Sequence, residues 1–321
     1  MKILKILWIV IIAILAIAAI ILIAFWINHN YQLRKEAKTL VPPGAMVEVN
    51  EKKLHVYAEG DGNTTLVFMA GHGTSYPTVD FKPLWVRMVD QYRIAVVEKS
   101  GYGWSDPSNS PRDIDTLLEE TRKALKLSGE TGPYILFPHS MSGLEAIYWA
   151  QKYPDEVIAI IGLDPTTPGS IEILPEPNKI QLYFMYLISR AGLSRFIPDS
   201  EIGSFLPLMK SHDLSEEDRS HYLAVFYKST FTKDMLREIE YLKQNAETVK
   251  ENGLPADTPM YFFISDDQEV SNVGWKEILS DYLSEINIGK SMQLDTGHYI
   301  HHDKADVIAE EAKAFLKEIA N

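Results

Sequence analysis

Cysteine is absent from all 321 residues. That excludes disulfides, thiolate metal sites and a cysteine nucleophile. A basic surplus is missing too: 31 Lys and Arg stand against 44 Asp and Glu, for a net charge of −13. Phosphate binding needs a basic face, so a nucleic-acid partner is excluded. No repeat of 20 to 50 residues and no low-complexity tract is visible, which argues against solenoids and arrays. Apolar residues are plentiful, 46% of the chain with 11% aromatic, enough for a sizeable packed core. The length suits one large domain with an insertion, or two modest ones.

Charge disappears entirely between Ile6 and Ile27, ILWIVIIAILAIAAIILIAFWI. As a helix this run spans roughly 30 Å, the thickness of a bilayer's hydrocarbon layer. Trp8 and Trp26 lie near its ends, where amphipathic rings favour the headgroups. The run is too long for an ordinary signal-peptide core, so residues 1–27 are expected to be a single-pass membrane anchor. Lys2 and Lys5 before it nearly balance Arg34, Lys35 and Lys38 after it. The short leader favours a cytoplasmic N-terminus, placing the remainder outside the cell membrane. Residues 28–46, ending near Pro42-Pro43-Gly44, predict an extended polar linker.

From residue 47 onward, short apolar runs alternate with longer amphipathic ones. The runs are Leu66–Met69, Ile94–Val97, Tyr134–Phe137, Val157–Ile161, Met260–Ile264 and Met292–Leu294. Helical patterns fall at Asp80–Asp90, Ile114–Leu127, Gly143–Tyr153 and Lys304–Ile319. Apolar runs separated by helices indicate buried parallel strands with crossover helices. The expected class is α/β, a doubly wound, mostly parallel sheet. Function in such sheets collects beyond the carboxyl ends of the strands. Between about residues 169 and 253 the alternation gives way to helical patterns, including one stretch from Ser215 to Val249; this predicts a helical lid inserted between two strands. Its Leu182–Ile188 segment, rich in Tyr, Phe and Met, would line an acyl pocket or pack the lid onto the sheet.

Ser140 follows the strand at Tyr134–Phe137 and precedes a helix. A nucleophilic serine on a sharp strand-to-helix turn needs small neighbours two residues away on each side. Ser142 meets that need on one side, while Pro138 stands where glycine is usual. Ser142 is the alternative nucleophile, though its own neighbour Leu144 would crowd the turn; a helix-capping serine is the plainer alternative. Gly71-His72-Gly73-Thr74, directly after a strand, offers backbone donors for an oxyanion, with Thr74 and Met141 as the expected pair. His298, on the loop after the last strand, is the expected general base. His301 and His302 lie further on and read as packed or solvated; no ligand cluster upstream supports a metal, and no cofactor is implied.

Gly71-His72-Gly73, Ser100-Gly101-Tyr102-Gly103-Trp104-Ser105-Asp106, His139-Ser140-Met141-Ser142-Gly143 and Gly297-His298 occur in the order of the α/β-hydrolase family, which the chain resembles from roughly Val47 to Ala320. The resemblance implies a Ser-acid-His triad and an acyl-enzyme. It departs from the common pattern at Pro138 and at Ser100, where many relatives carry arginine. Relatives place the acid after either of two strands. Asp164 follows one and Asp266 and Asp267 follow the other. The stretch Gly162-Leu163-Asp164-Pro165 resembles membrane-anchored bacterial members and favours Asp164. Expected substrates are a small-molecule ester, a lipid or a short peptide. One alternative is an aminopeptidase of the proline-iminopeptidase type, which needs lid acids for the amine; Glu172, Glu176, Asp213, Glu216, Glu217 and Asp218 are available. Another is a binding protein that keeps the fold without catalysis.

Overall fold

The computed structural model describes residues 2–175, 177–210, 214–266 and 274–320. Helix α1 (Lys2–Thr39) carries the apolar run and continues well past it. The extended linker expected over 28–46 is corrected accordingly: residues 28–39 are helical, and Ala45 already opens a strand. The reason is local, since Gln32–Lys38 is made largely of strong helix formers and no breaker intervenes before Pro42.

Strands β1 (Ala45–Val49) and β2 (Lys52–Glu59) form an antiparallel hairpin that the reading of apolar runs passes over. The hairpin turn holds Asn50 and Glu51 at φ 50° and 63°, the left-handed pair that a two-residue connection demands. Then come β3 (Thr65–Met69), α2 (Pro77–Asp80), α3 (Lys82–Trp85), β4 (Arg93–Glu98), α4 (Ile114–Ser128), β5 (Tyr134–Pro138), α5 (Ser142–Lys152) and β6 (Val157–Leu163). The single helix expected from Asp80 to Asp90 is instead two short ones pivoting at Phe81, because Pro77 and Pro83 each start a new turn.

Helices α6 (Lys179–Ala191), α7 (Asp199–Phe205), α8 (Glu216–Ser229) and α9 (Lys233–Glu251) lie between β6 and β7 (Met260–Ile264). The expected continuous helix from Ser215 to Val249 is broken at Thr230–Thr232. Phe231 takes φ 45°, and the Thr232 side chain caps α9 by accepting from the Met235 N–H. After β7 come α10 (Trp275–Ser284), β8 (Gly289–Gln293), α11 (Ile300–Asp303) and α12 (Ala305–Ile319).

The eight strands form one sheet in the order β1-β2-β4-β3-β5-β6-β7-β8. It is parallel from β4 to β8, with antiparallel pairing confined to β1–β2 and β2–β4. Strands β3, β5 and β7 are buried along their whole length, as expected where helices cover both faces. One core cluster packs α4, α5 and α10 on one face, and a second packs α3 and α12 on the other. A third joins the insertion to the α2 segment through Tyr76, Val79, Leu208, Tyr222, Val225 and Phe226. Helix α6 stands apart. Of its thirteen residues only Ser189 is buried, and Tyr183, Phe184 and Leu187 are 57%, 60% and 47% exposed. Those three side chains therefore neither line a pocket nor pack onto the sheet.

Candidate active site

The central strands β5 and β6 converge on one serine. Strand β5 ends at Pro138, opposite Met69 of β3, and the His139 N–H continues the ladder by donating to the Met69 carbonyl at 2.9 Å. Proline's missing donor thus leaves the turn uninterrupted. Ser140 then takes φ 53°, a left-handed conformation for a residue with a side chain. Such backbones cost on the order of 1–3 kcal/mol and persist only where neighbours enforce them. Here the enforcement is visible: the Ser140 carbonyl accepts from the N–H groups of Thr166 at 2.8 Å and Gly143 at 2.9 Å. Close approach falls on Gly71, where an added Cβ would sit 2.7 Å from the Ser140 Cβ. It falls also on Gly143, where a Cβ would strike the Thr166 backbone. Glycines on neighbouring segments therefore supply the space that Pro138 does not.

Asp164 directly follows β6, also in the left-handed region at φ 50°. Its carboxylate is fully buried and receives three donors. His298 Nδ1 lies 2.6 Å from Oδ2, while the Ser265 N–H and the Trp275 indole N–H each donate to Oδ1 at 2.9 Å. Burial pushes this carboxyl up. The hydrogen bond and charge of His298, with the Ser265 and Trp275 donors, more than offset it and hold the group below its ordinary range. An ionised Asp164 fixes the proton of His298 on Nδ1 and leaves Nε2 as the basic nitrogen. Of the alternative acids, Asp266 contributes its backbone N–H to the Thr296 carbonyl at 2.9 Å, and Asp267 lies outside the described residues.

His139 ties the serine turn to the histidine loop. Its Nε2 meets the His298 carbonyl at 3.1 Å, and the two rings lie 4.7 Å apart. Burial, then the neighbouring His298 and His301, hold His139 well below the ordinary imidazole range, so it is neutral and donates from Nε2. Met141 occupies the N-cap of α5, and its N–H meets no acceptor among the described residues. Thr74 is buried on the loop beyond Gly71, its hydroxyl unpartnered among the described residues. Ser142 is spent otherwise: its hydroxyl bonds the Met69 and His139 carbonyls at 2.6 and 2.8 Å.

Three groups escape a reading of motifs. Trp275 opens α10, more than a hundred residues from the carboxylate it serves, and no local pattern marks it. Asp80 receives His301 at 3.0 Å, His302 at 3.2 Å and the Tyr222 hydroxyl at 2.9 Å, joining α2, α11 and α8. The third is Glu238 of α9, which receives Tyr102 at 2.6 Å and the fully buried Arg112 at 2.7 Å. It lies 4.0 Å from His72, beside the glycine-rich turn. Among the described residues, the lid acids suggested for an amine site do not gather there. Glu172 is exposed and pairs with Lys250, Asp218 pairs with Lys82, Glu216 and Glu217 are exposed, and Glu176 and Asp213 lie outside the described residues.

Comparison with known proteins bears on the fold and the family. A family model described as the alpha/beta hydrolase fold matches residues 76–196. The chain is 35% identical over 305 residues to the uncharacterized protein YbdG of Bacillus subtilis (strain 168), covering 93% of each. It is 27% identical over 120 residues to the 2-(acetamidomethylene)succinate hydrolase of Mesorhizobium japonicum, covering 37% of this chain and 42% of that one. Among solved structures, the epoxide hydrolase VrEH1 from Vigna radiata superposes with TM-score 0.67 at 20% identity, over 85% of this chain and 97% of that one.

Proposed function

The chain belongs to the α/β-hydrolase family, and from that premise we propose that it is a membrane-anchored serine hydrolase acting on a carboxylic ester or related acyl bond. The observation that carries this reading is the 2.6 Å contact between His298 Nδ1 and the buried Asp164, beside a serine held in a left-handed turn. Ser140 attacks the acyl carbonyl as His298 Nε2 takes its proton. The N–H of Met141 and a donor from the Thr74 loop hold the oxyanion. His298 returns the proton to the leaving alcohol, and water, activated by the same imidazole, releases the acid. The carboxylate of Asp164 stabilises the imidazolium formed in each half-reaction.

A serine at the elbow, in place of a carboxylate, supports acyl transfer over the alkyl-enzyme chemistry a nucleophilic aspartate would perform. Helix α1 supplies the anchor: it contains an apolar stretch long enough to cross a bilayer, and apart from His29 it is unburied. The folded part is assigned to the outer side, so protease added to intact cells should degrade it.

The test of the catalytic reading is labelling of the full chain by a fluorophosphonate. The wild type should label and Ser140→Ala should not. A folded wild type that fails to label would overturn the reading and favour a binding protein on the same scaffold.

A further inference from the structure

The insertion is bound to the anchor. Arg195, just beyond α6, donates to both carboxylate oxygens of Glu36 at 2.7 Å and from Nε to His29 Nδ1 at 3.0 Å. Gly192, the left-handed residue ending α6, lies so close to α1 that a Cβ there would strike His29. One turn deeper, the Phe25 and Phe196 rings meet at 4.8 Å. Phe25 belongs to the uncharged run, so Phe196 sits at the depth of that run's end. These contacts hold α6 beside the point where α1 leaves its apolar stretch.

Helix α6 is unusual in composition and in setting. Ile180, Tyr183, Phe184 and Leu187 recur at helical spacing and form one stripe. They are exposed by 84%, 57%, 60% and 47%, a contiguous apolar face of a kind that folded proteins do not leave in water without use. Stripe and anchor share a neighbourhood, and both are bare of protein cover.

We propose that this face of α6, with Phe196, lies in the interfacial layer of the same bilayer that α1 crosses. The occupant is lipid: the face is apolar, it adjoins the lipid-facing helix, and a rigid ion-paired contact sets its depth. The proposal rests on α1 being a membrane span.

The absence of cysteine permits a direct test on the full chain. Single variants Phe184→Cys, Leu187→Cys, Leu15→Cys and Lys126→Cys would each carry a nitroxide and be reconstituted into phosphatidylcholine vesicles. Paramagnetic accessibility to oxygen and to a water-soluble nickel chelate is then compared. The oxygen-to-nickel ratio at 184 and 187 should exceed that at 126, on the solvent face of α4, several-fold, and approach that at 15. Ratios at 184 and 187 equal to that at 126, with a lipid-like ratio at 15, would overturn the docking of α6 and leave the anchor standing. A water-like ratio at 15 would overturn the anchor and the docking with it.

Discussion

Replacing Asp164 by asparagine isolates the role of one carboxylate, because the structure dictates how the amide must sit. Oδ1 accepts from both the Ser265 N–H and the Trp275 indole at 2.9 Å. An asparagine therefore keeps its carbonyl oxygen at that position. Its amide nitrogen is forced to the place of Oδ2, 2.6 Å from His298 Nδ1 in the wild type. Two N–H donors cannot face each other, so the imidazole moves its proton to Nε2. Nε2 is then a donor and cannot take the serine proton. In serine triads that wrong tautomer costs about 10⁴ in kcat, or about 5.5 kcal/mol of barrier. Stability should change far less, because two of the three donors keep their acceptor. Asp164→Ala, by contrast, strands the two buried donors of Ser265 and Trp275 at about 1–3 kcal/mol each, and leaves His298 without its acceptor.

The assay is the rate of fluorophosphonate labelling, with urea unfolding measured alongside. Asp164→Asn should unfold close to the wild-type midpoint yet label thousands of times more slowly, and Asp164→Ala should fail by unfolding. An Asp164→Asn protein that folds and labels within tenfold of wild type would refute the reasoning and return the acid to the Asp266–Asp267 segment.

Gly71→Ala places a methyl 2.7 Å from the Ser140 Cβ and 3.0 Å from the His139 carbonyl, so the serine must shift. Labelling should drop by about 10²-fold, the usual cost of an ångström-scale misplacement, while Gly129→Ala, with nothing near its Cβ, leaves labelling unchanged. Acid should loosen the fold before ordinary carboxylates protonate. Burial first, then His302, lowers His301 to about 4, whereas the unfolded chain's histidine protonates near 6.5. The unfolded state thus binds more protons between those values. The stabilisation is full above pH 6.5 and falls by about 3 kcal/mol as pH drops toward 4. Urea midpoints at pH 7.5 and 4.5 read it, and His301→Gln should shrink the difference by that share, leaving what the buried, depressed His139 contributes. Arg195→Ala removes three charge-assisted contacts between insertion and anchor; hydrogen exchange should rise over 28–39 and 179–197 and stay unchanged in β5.

Much of the sheet is legible because burial on both faces leaves continuous apolar runs, as at Tyr134–Phe137 or Met260–Ile264. The hairpin of β1 and β2 is not, since Lys52, Lys53 and Glu59 interrupt its apolar positions at the sheet's edge. Ser140 and His298 stand out because a left-handed turn and a loop after the last strand leave local signatures. In the sequence Asp164 is only one of three candidates: what draws attention to it is the meeting of Ser265, Trp275 and His298 around one carboxylate, residues 101, 111 and 134 positions away. Pairings of that length exist only once the chain has folded.

The same reason governs the insertion. Its helical character is legible, though not the break at Thr230–Thr232, and whether an apolar stripe faces core, pocket or solvent depends on what packs against it. Leu182–Ile188 reads identically in each case. Glu238 and Arg112 show the reverse: charged residues that look like surface lie buried, because each finds its counter-charge across 126 residues. Burying either alone would cost several kcal/mol, so the pair is viable only as a pair, bridging α9 to the segment ahead of α4. This polar bridge, together with the Tyr222–Asp80 contact, ties the insertion to α2 and to the segment ahead of α4. Arg195 and Glu36 tie its other side to α1. The insertion is thus fastened on one side to α2 and the segment ahead of α4 and on the other to the proposed anchor, by pairings that its sequence alone does not reveal.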